Sequence, residues 1–292
     1  MIAPVVDLEW LDRYQADANV ALADVRWYLD GRSGRAAYEG GHLRGAVFVD
    51  LERWLSGEAG PSVGRHPLPD PGTFAEGMAR SGIGDDTVVI AYDDAGGVIA
   101  ARLVWMLRVT GHEAALLNGG VTAYRGPLET GSGTADLRPA AFTARPWPAE
   151  MLAGAADAAN RGNIVIDARD RDRYRGAQDP IDPRPGHIPG ASNLPCRENL
   201  APDGTFLPTD ELRRRFERAG VVEGSSVISY CGSGVTACHN LLALELAGFA
   251  PGRLYPGSWS QYSHLADVDV ATGSSPGSRG ARGARRVHPS TG

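Results

Sequence analysis

The feature that most constrains the fold of this 292-residue chain is an internal repeat. Four kinds of segment occur in the first half and return in the same order in the second half. They are an apolar run ending in Asp-x-Arg, a Gly-His-x-x-Gly-Ala element, a second apolar run before a glycine-bearing loop, and a Gly-rich turn. The matched segments are 21–26 with 164–169, 41–46 with 186–191, 87–92 with 226–230, and 117–124 with 255–262. This order indicates a tandem duplication, and the length suits two domains.

Each copy alternates short apolar runs of strand length with helical segments. This pattern predicts parallel strands joined by crossover helices, an α/β fold with helices on both faces of each sheet. The clearest helices are predicted at 100–109 and 235–248. The second is expected to end at Gly248, a residue type that favours helix C-termini.

The composition along the chain predicts where the domains begin and end. We expect an N-terminal domain at 1–126, a linker rich in Gly, Pro, Thr and Ala at 127–147, and a C-terminal domain at 148–270. Residues 271–292 are rich in Gly, Ser, Pro and Arg, and we predict that they form a disordered tail.

The overall composition excludes several functions. The chain contains no Lys, so all 29 basic residues are Arg, which rules out a lysine Schiff base and a P-loop. Its net charge of -6 argues against nucleic acid or an anionic membrane as a partner. The three cysteines form no CxxC pair and suit a reducing compartment, and the N-terminus lacks the basic start of a signal peptide. We therefore predict a cytoplasmic protein.

The strongest chemical signal is Cys231, which directly follows a predicted buried strand. Gly232 and Gly234 allow a tight loop whose amides can turn inward, and a predicted helix begins at Val235. Such a loop stabilises a sulfur anion, so Cys231 is the candidate nucleophile. In the first copy Asp93 stands at the corresponding position, so we expect the second domain alone to be active.

These residues resemble the rhodanese superfamily, in particular its two-domain sulfurtransferases with an inactive N-terminal and an active C-terminal domain. The resemblance extends from Ala21 to Tyr262. It implies tandem rhodanese-like domains, each a parallel five-stranded sheet with helices on both faces. It also implies that Cys231 takes up a sulfane sulfur as a persulfide and passes it to cyanide or a thiol. No cofactor is expected, and a thioredoxin-like reductant is a further candidate partner.

The loop sequence indicates which sulfur donor is used. Family members specific for thiosulfate typically carry Arg directly after the cysteine, whereas those specific for 3-mercaptopyruvate typically read Cys-Gly-Ser-Gly-Val-Thr. Here the loop reads Cys231-Gly232-Ser233-Gly234-Val235-Thr236, and its backbone is expected to bind the substrate. An uncharged loop suits a monocarboxylate better than a dianion. We therefore predict 3-mercaptopyruvate as the donor and pyruvate as the product, with thiosulfate as the alternative donor.

The resemblance implies further site residues. Arg173 matches a family arginine that binds the substrate carboxylate. A second family arginine is missing at its usual position, and Arg184, a few residues downstream, is the candidate replacement. In the mercaptopyruvate-specific members an Asp and a His of the N-terminal domain form a relay with the loop Ser233. His66 matches that His, and Glu52, one methylene longer, stands for the Asp.

Two alternatives to a sulfurtransferase remain at this stage. A cysteine phosphatase or arsenate reductase needs Arg at the sixth position after the cysteine, where this chain has Ala237, which argues against that chemistry. A non-catalytic sulfur carrier or regulatory protein is not excluded.

His42 and His187 occur in both copies and are predicted to be structural, and Cys196 and Cys238 are predicted to be buried.

Overall fold

The computed structural model of the chain describes residues 1–133, 139–177, 179 and 181–277. Its first sheet has five parallel strands in the order β1-β5-β4-β2-β3. These strands are β1 (Val5–Val6), β2 (Val20–Asp24), β3 (Val47–Phe48), β4 (Val88–Tyr92) and β5 (Ala114–Leu117). The helices of this half are α1 (Leu8–Tyr14), α2 (Gly34–Gly40), α3 (Leu51–Trp54), α4 (Pro71–Arg80), α5 (Ala101–Val109) and α6 (Gly120–Ala123).

The second sheet has four parallel strands in the order β7-β6-β8-β9, which repeats the order of strands β3, β2, β4 and β5. The strands are β6 (Ile164–Asp167), β7 (Ser192–Asn193), β8 (Val227–Tyr230) and β9 (Arg253–Leu254). The helices are α7 (Ala155–Ala159), α8 (Arg171–Arg175), α9 (Thr209–Arg218), α10 (Ala237–Leu246) and α11 (Ser258–Tyr262), with short 3₁₀ helices at Ala149–Met151 and Cys196–Asn199.

The tandem α/β fold is confirmed, but the prediction of five strands in the second sheet is wrong. The place of a fifth strand beside β9 is held by one bridge between Leu152 and Leu254, reinforced by the Ala153 amide, which donates to the Leu254 carbonyl at 2.8 Å. The preceding Ala149–Met151 is a 3₁₀ helix, so Leu152 alone runs extended along the sheet edge.

A pair of helices forms one part of the contact between the two domains. Seven consecutive residues of α5 are buried, as are eight of α10, and the two helices contact each other. Both are apolar on several faces because each lies between its own sheet and the other domain. Their buried side chains belong to a hydrophobic core that extends from the first sheet to the second. The helices predicted at 100–109 and 235–248 are confirmed to within two residues.

The repeated motifs make equivalent contacts in both domains. Arg26 binds the carboxylate of Asp24 at 2.6 Å and the carbonyl of Gly41 at 2.7 Å. The same contacts in the second domain join Arg169 to Asp167 and to Gly186. His42 and His187 each approach a backbone carbonyl of the neighbouring helix through Nδ1, at 2.9 and 2.8 Å. Both histidines are buried, as expected for structural residues.

The disordered tail was predicted to begin at residue 271, but the first residues of this segment are ordered against the second domain. Ala271 pairs with His187 through two backbone hydrogen bonds, and the Gly273 amide donates to the carbonyl of Arg175 at 2.9 Å. Residues 271–277 therefore extend the second domain, because their backbone groups find partners at its surface. The arginines of the tail, Arg279, Arg282, Arg285 and Arg286, lie outside the described residues. Within the described ranges, every helix is too short or too polar to cross a membrane.

Candidate active site

Cys231 lies directly after β8, at the carboxyl end of the second sheet, and is 2% exposed. Its Sγ accepts a hydrogen bond from the Gly234 amide at 3.1 Å. Gly234 has φ +81, and a methyl group there would lie 2.5 Å from the Pro256 carbonyl oxygen, so only glycine fits. The predicted strand, loop and helix are thus present, and a loop amide points at the sulfur. A donor in this position stabilises negative charge on sulfur.

Ser258 binds the backbone of Cys231, and it was not predicted from the sequence. The Cys231 amide donates to Ser258 Oγ at 3.1 Å, and that hydroxyl donates to the Tyr255 carbonyl at 2.8 Å. Ser258 has φ +50 and is the one residue other than glycine with positive φ in the described part of the chain. Gly120 occupies the corresponding position of the first domain with φ +55. The serine at a position where the first copy has glycine is the sequence signal that could have identified Ser258.

The structure brings His66 of the N-terminal domain to Ser233 of the loop. His66 lies between α3 and α4, and its Nδ1 is 2.7 Å from Ser233 Oγ. Burial, together with the charges of Arg102 and Arg65, lowers the pKa of His66 to about 4. The imidazole is therefore neutral at neutral pH and is able to accept a hydrogen bond from the serine hydroxyl. The expected contact between these two residues is present.

Glu52 does not complete this pair as predicted. Its Oε1 accepts a hydrogen bond from Trp27 Nε1 at 3.1 Å, and within the described ranges it makes no hydrogen bond to His66. The ring of Trp27 stands edge-on against His66, with 5.2 Å between ring centroids. Glu52 lies in the first turn of α3, which Asp50 caps, and its carboxylate binds the indole that packs against His66.

Arg102 is a second site residue that the sequence reasoning missed. It is 0% exposed, on α5 of the N-terminal domain, and it donates to three backbone carbonyls. These belong to Leu55 at 3.3 Å, His66 at 3.1 Å and Gly234 at 3.0 Å. One guanidinium thus connects the His66 segment with the cysteine loop. Its only sequence signal is a charge in an otherwise apolar stretch of helix.

Arg173 lies beside the loop as predicted, and Arg65 of the other domain lies next to it. A methyl group built on Gly232 would be 3.0 Å from Arg65 Nη2 and 3.1 Å from Arg173 Nη1. Both guanidinium groups bind the buried carboxylate of Asp182, and Arg173 also contacts Asp179 at 3.1 Å. The absence of a side chain at Gly232 therefore lets two cations approach the loop.

The prediction that Arg184 replaces a second substrate-binding arginine is wrong. Its guanidinium donates to the carbonyls of Tyr262, Ser263, Leu265 and Val268 at 2.7 to 3.2 Å. These bonds use all three of its nitrogen atoms to hold the segment after α11. Arg184 is not among the residues that line the cavity at Cys231. It lies close to Arg173 in sequence, but its side chain binds a different segment of the domain.

A cavity of about 470 Å³ opens between the two domains above Cys231. Gly232, Ser233 and Thr236 line it, whereas Val235 is buried in the core. Five arginines and three aspartates also line it: Arg32, Arg65, Arg169, Arg173, Arg197, Asp30, Asp94 and Asp170. Arginines thus supply most of the charged lining, and guanidinium groups bind carboxylates and other anions. Within the described ranges, no cluster of three or more His, Cys, Asp or Glu side chains could hold a metal ion.

The other two cysteines are buried near the loop, as predicted. Burial raises the pKa of both Cys196 and Cys238 to about 12. Both thiols therefore stay protonated at neutral pH and are poor nucleophiles.

Comparison with known proteins adds independent information. The family model described as "Rhodanese-like domain" matches residues 7–126 and 150–265. A probable 3-mercaptopyruvate sulfurtransferase of Pseudomonas aeruginosa is 41% identical over 269 residues, 88% of this chain and 94% of the relative. A putative thiosulfate sulfurtransferase, SseB of Mycobacterium tuberculosis, is 40% identical over 85% of this chain and 89% of its own. The structure of 3-mercaptopyruvate sulfurtransferase from Leishmania major matches with a TM-score of 0.81 and 31% identity, covering 90% of this chain and 75% of the other.

Proposed function

Because this chain belongs to the rhodanese-like family of sulfurtransferases, we propose that it moves a sulfane sulfur from 3-mercaptopyruvate to a thiophilic acceptor through a persulfide on Cys231. The observation that carries this proposal is the neutral His66 in contact with Ser233, two positions after the cysteine. The proposal assigns catalysis to the domain at 148–270 and treats the domain at 1–126 as catalytically inactive.

The first half-reaction forms the persulfide. The Cys231 thiolate attacks the thiol sulfur of the donor, a sulfur–sulfur bond forms, and the carbon–sulfur bond breaks with its electron pair on carbon. The resulting enolate of pyruvate takes up one proton. Ser233 and His66 can relay that proton from the cysteine or donor thiol to the enolate carbon, because Ser233 Oγ and His66 Nδ1 lie 2.7 Å apart and form one hydrogen-bonded path. The Gly234 amide stabilises the charge on sulfur before attack.

The second half-reaction returns the enzyme to its starting state. A thiolate or cyanide attacks the outer sulfur of the persulfide, takes that sulfur, and leaves Cys231 as a thiolate. The acceptor is proposed to be a small thiol, cyanide or a thioredoxin-like reductant in the cytoplasm. All three cysteines are free thiols, in keeping with a reducing compartment.

Thiosulfate is the second candidate donor, and a specific observation favours it. The loop itself is uncharged, but the guanidinium groups of Arg65 and Arg173 lie beside Gly232. Two cations at this position can hold a dianion as well as a monocarboxylate. The relative of Mycobacterium tuberculosis that is named for thiosulfate is nearly as similar to this chain as the one named for mercaptopyruvate.

The test compares kcat/KM for 3-mercaptopyruvate and for thiosulfate, with cyanide as acceptor and Cys231→Ser as control. We expect mercaptopyruvate to be preferred by at least about tenfold and the variant to be inactive. A preference for thiosulfate of that size would overturn the donor assignment, and activity of the variant would overturn the mechanism. Persulfide formation on Cys231 without turnover would instead indicate a sulfur carrier.

A further inference from the structure

We propose that Arg65, a residue of the catalytically inactive N-terminal domain, binds the carboxylate of the sulfur donor together with Arg173. The inference rests on the proposed function, and it names Arg65 as the second cation of the donor site. It gives the N-terminal domain a direct part in donor binding.

The position of the two arginines around Gly232 is the first argument. Arg65 Nη2 and Arg173 Nη1 lie 3.0 and 3.1 Å from the point that a methyl group on Gly232 would occupy. Gly232 is adjacent to Cys231, and all four residues line the cavity between the domains. A short donor whose sulfur meets Cys231 therefore has its anionic end within reach of both guanidinium groups. Two guanidinium groups on one carboxylate orient it and also balance its negative charge.

The hydrogen bonds of the two arginines leave donors unused. Arg65 donates through Nη1 to Asp182, and Arg173 donates through Nη2 to Asp179 and Asp182. The Nε atoms of Arg65 and Arg173 have no hydrogen-bond partner among the residues that the structure describes. Asp182 thus holds the two cations side by side without using all their donors. Arg65 Nη2 and Arg173 Nη1, the atoms nearest Gly232, also make no hydrogen bond to the described residues, and they are the donors available to an anion in the cavity.

Backbone contacts hold this segment against the other domain in addition to the ion pair between Arg65 and Asp182, and Asp182 also pairs with Arg173. The Arg65 amide donates to Ser260 Oγ at 3.0 Å. The preceding Gly64 packs so closely that a methyl group there would lie 2.6 Å from the Gly257 carbonyl oxygen. The Arg65 side chain is 29% exposed, unlike the fully buried Arg102. A change of the Arg65 side chain is therefore expected to leave the segment docked and the protein folded.

Alkylation of Cys231 tests the anion site without turnover. Iodoacetate carries a carboxylate, whereas iodoacetamide has nearly the same shape and is neutral. Both reagents are applied to the full-length wild type, to Arg65→Gln and Arg65→Lys, and to Arg44→Gln. Arg44 is 85% exposed and does not line the cavity, so its variant controls for net charge. Mass spectrometry of the Cys231 peptide gives the two rate constants separately from those of Cys196 and Cys238.

We expect Arg65→Gln to lower the ratio of the iodoacetate rate to the iodoacetamide rate by about tenfold or more, the size of one charge-assisted hydrogen bond. The iodoacetamide rate should stay within about threefold of wild type. Arg65→Lys should restore part of the ratio, and Arg44→Gln should leave it unchanged. An unchanged ratio in Arg65→Gln would overturn the inference, and so would an equal loss of both rates, which would indicate a purely structural role.

Steady-state kinetics separates this inference from the proposed function. If mercaptopyruvate is the donor, Arg65→Gln should raise its KM by about 10- to 100-fold and change kcat by less than about threefold. A lowered alkylation ratio in a protein that does not turn over mercaptopyruvate would support the anion site and refute the proposed donor. Normal turnover of mercaptopyruvate by Arg65→Gln, with wild-type KM, would refute the inference and leave the proposed function standing.

Discussion

Replacement of Arg102 by Met tests whether one buried guanidinium holds the two domains in register at the active site. The substitution keeps an unbranched side chain of similar length but removes every donor. The carbonyls of Leu55, His66 and Gly234 then lose a hydrogen-bond donor in a site that water does not reach. Each unsatisfied buried acceptor costs about 1–3 kcal/mol, and removal of the buried charge offsets part of that cost. We expect a net loss of about 3 kcal/mol in the free energy of unfolding.

The measurement is urea unfolding followed by far-UV circular dichroism at neutral pH, together with kcat/KM for the preferred donor. Met106→Leu is the matched control, because Met106 is fully buried on the same helix and the swap conserves volume. The control should lose less than about 1.5 kcal/mol and keep its activity. Arg102→Met should also lose activity under conditions in which it is still folded, since the carbonyls of His66 and Gly234 are no longer held together. A variant with wild-type stability and activity would refute this reasoning.

Three further predictions concern the residues around the cysteine. Ser233→Ala and His66→Asn should each lower kcat/KM by about 100-fold, and the double variant should be little worse than either, because the two residues act as one proton path. Ser258→Ala and Ser258→Gly both remove the hydroxyl under the Cys231 amide, but glycine relieves the positive φ, so the Ala variant should be less stable in urea by about 1 kcal/mol. The pKa of His66 in the folded state, about 4, lies below its ordinary value of 6.5, so the unfolded chain binds the proton more readily. The free energy of unfolding should therefore fall by about 3 kcal/mol as the pH is lowered from 6.5 to 4. A difference in urea midpoint between wild type and His66→Asn that stays constant over this pH range would contradict this.

The sequence predicted those parts of the site that depend on local structure. The duplication, the strand before Cys231 and the glycines after it are short-range patterns, and each has a direct structural consequence. The contact between His66 and Ser233 followed from the resemblance, although the residues are 167 positions apart. The failures share a cause, since spacing along the chain does not fix the direction of a long side chain. Glu52 meets Trp27 instead of His66, and Arg184 turns away from the cavity.

Arg65 and Arg102 could not be predicted, for a different reason. Both act across the contact between the domains, because Arg102 binds the Gly234 carbonyl and Arg65 binds the Asp182 carboxylate on the other half of the chain. Such partners leave no pattern in the sequence near either arginine. Only the packing of α5 against α10, and of the Gly64 segment against Gly257, brings these arginines to the loop.

The corresponding loop of the N-terminal domain indicates what the cysteine loop is suited to hold. Asp93 occupies the position of Cys231, and its carboxylate accepts hydrogen bonds from four backbone amides at 2.7 to 2.9 Å, those of Ala95, Gly97, Ile99 and Ala100. The first domain has therefore kept an anion-binding loop and filled it with a side chain of its own. Two of these amides, those of Ile99 and Ala100, directly precede α5, the helix that carries Arg102 to the loop of the other domain. The Asp93 side chain thus anchors the N-terminal end of α5, and through Arg102 that helix contacts the cysteine loop of the second domain.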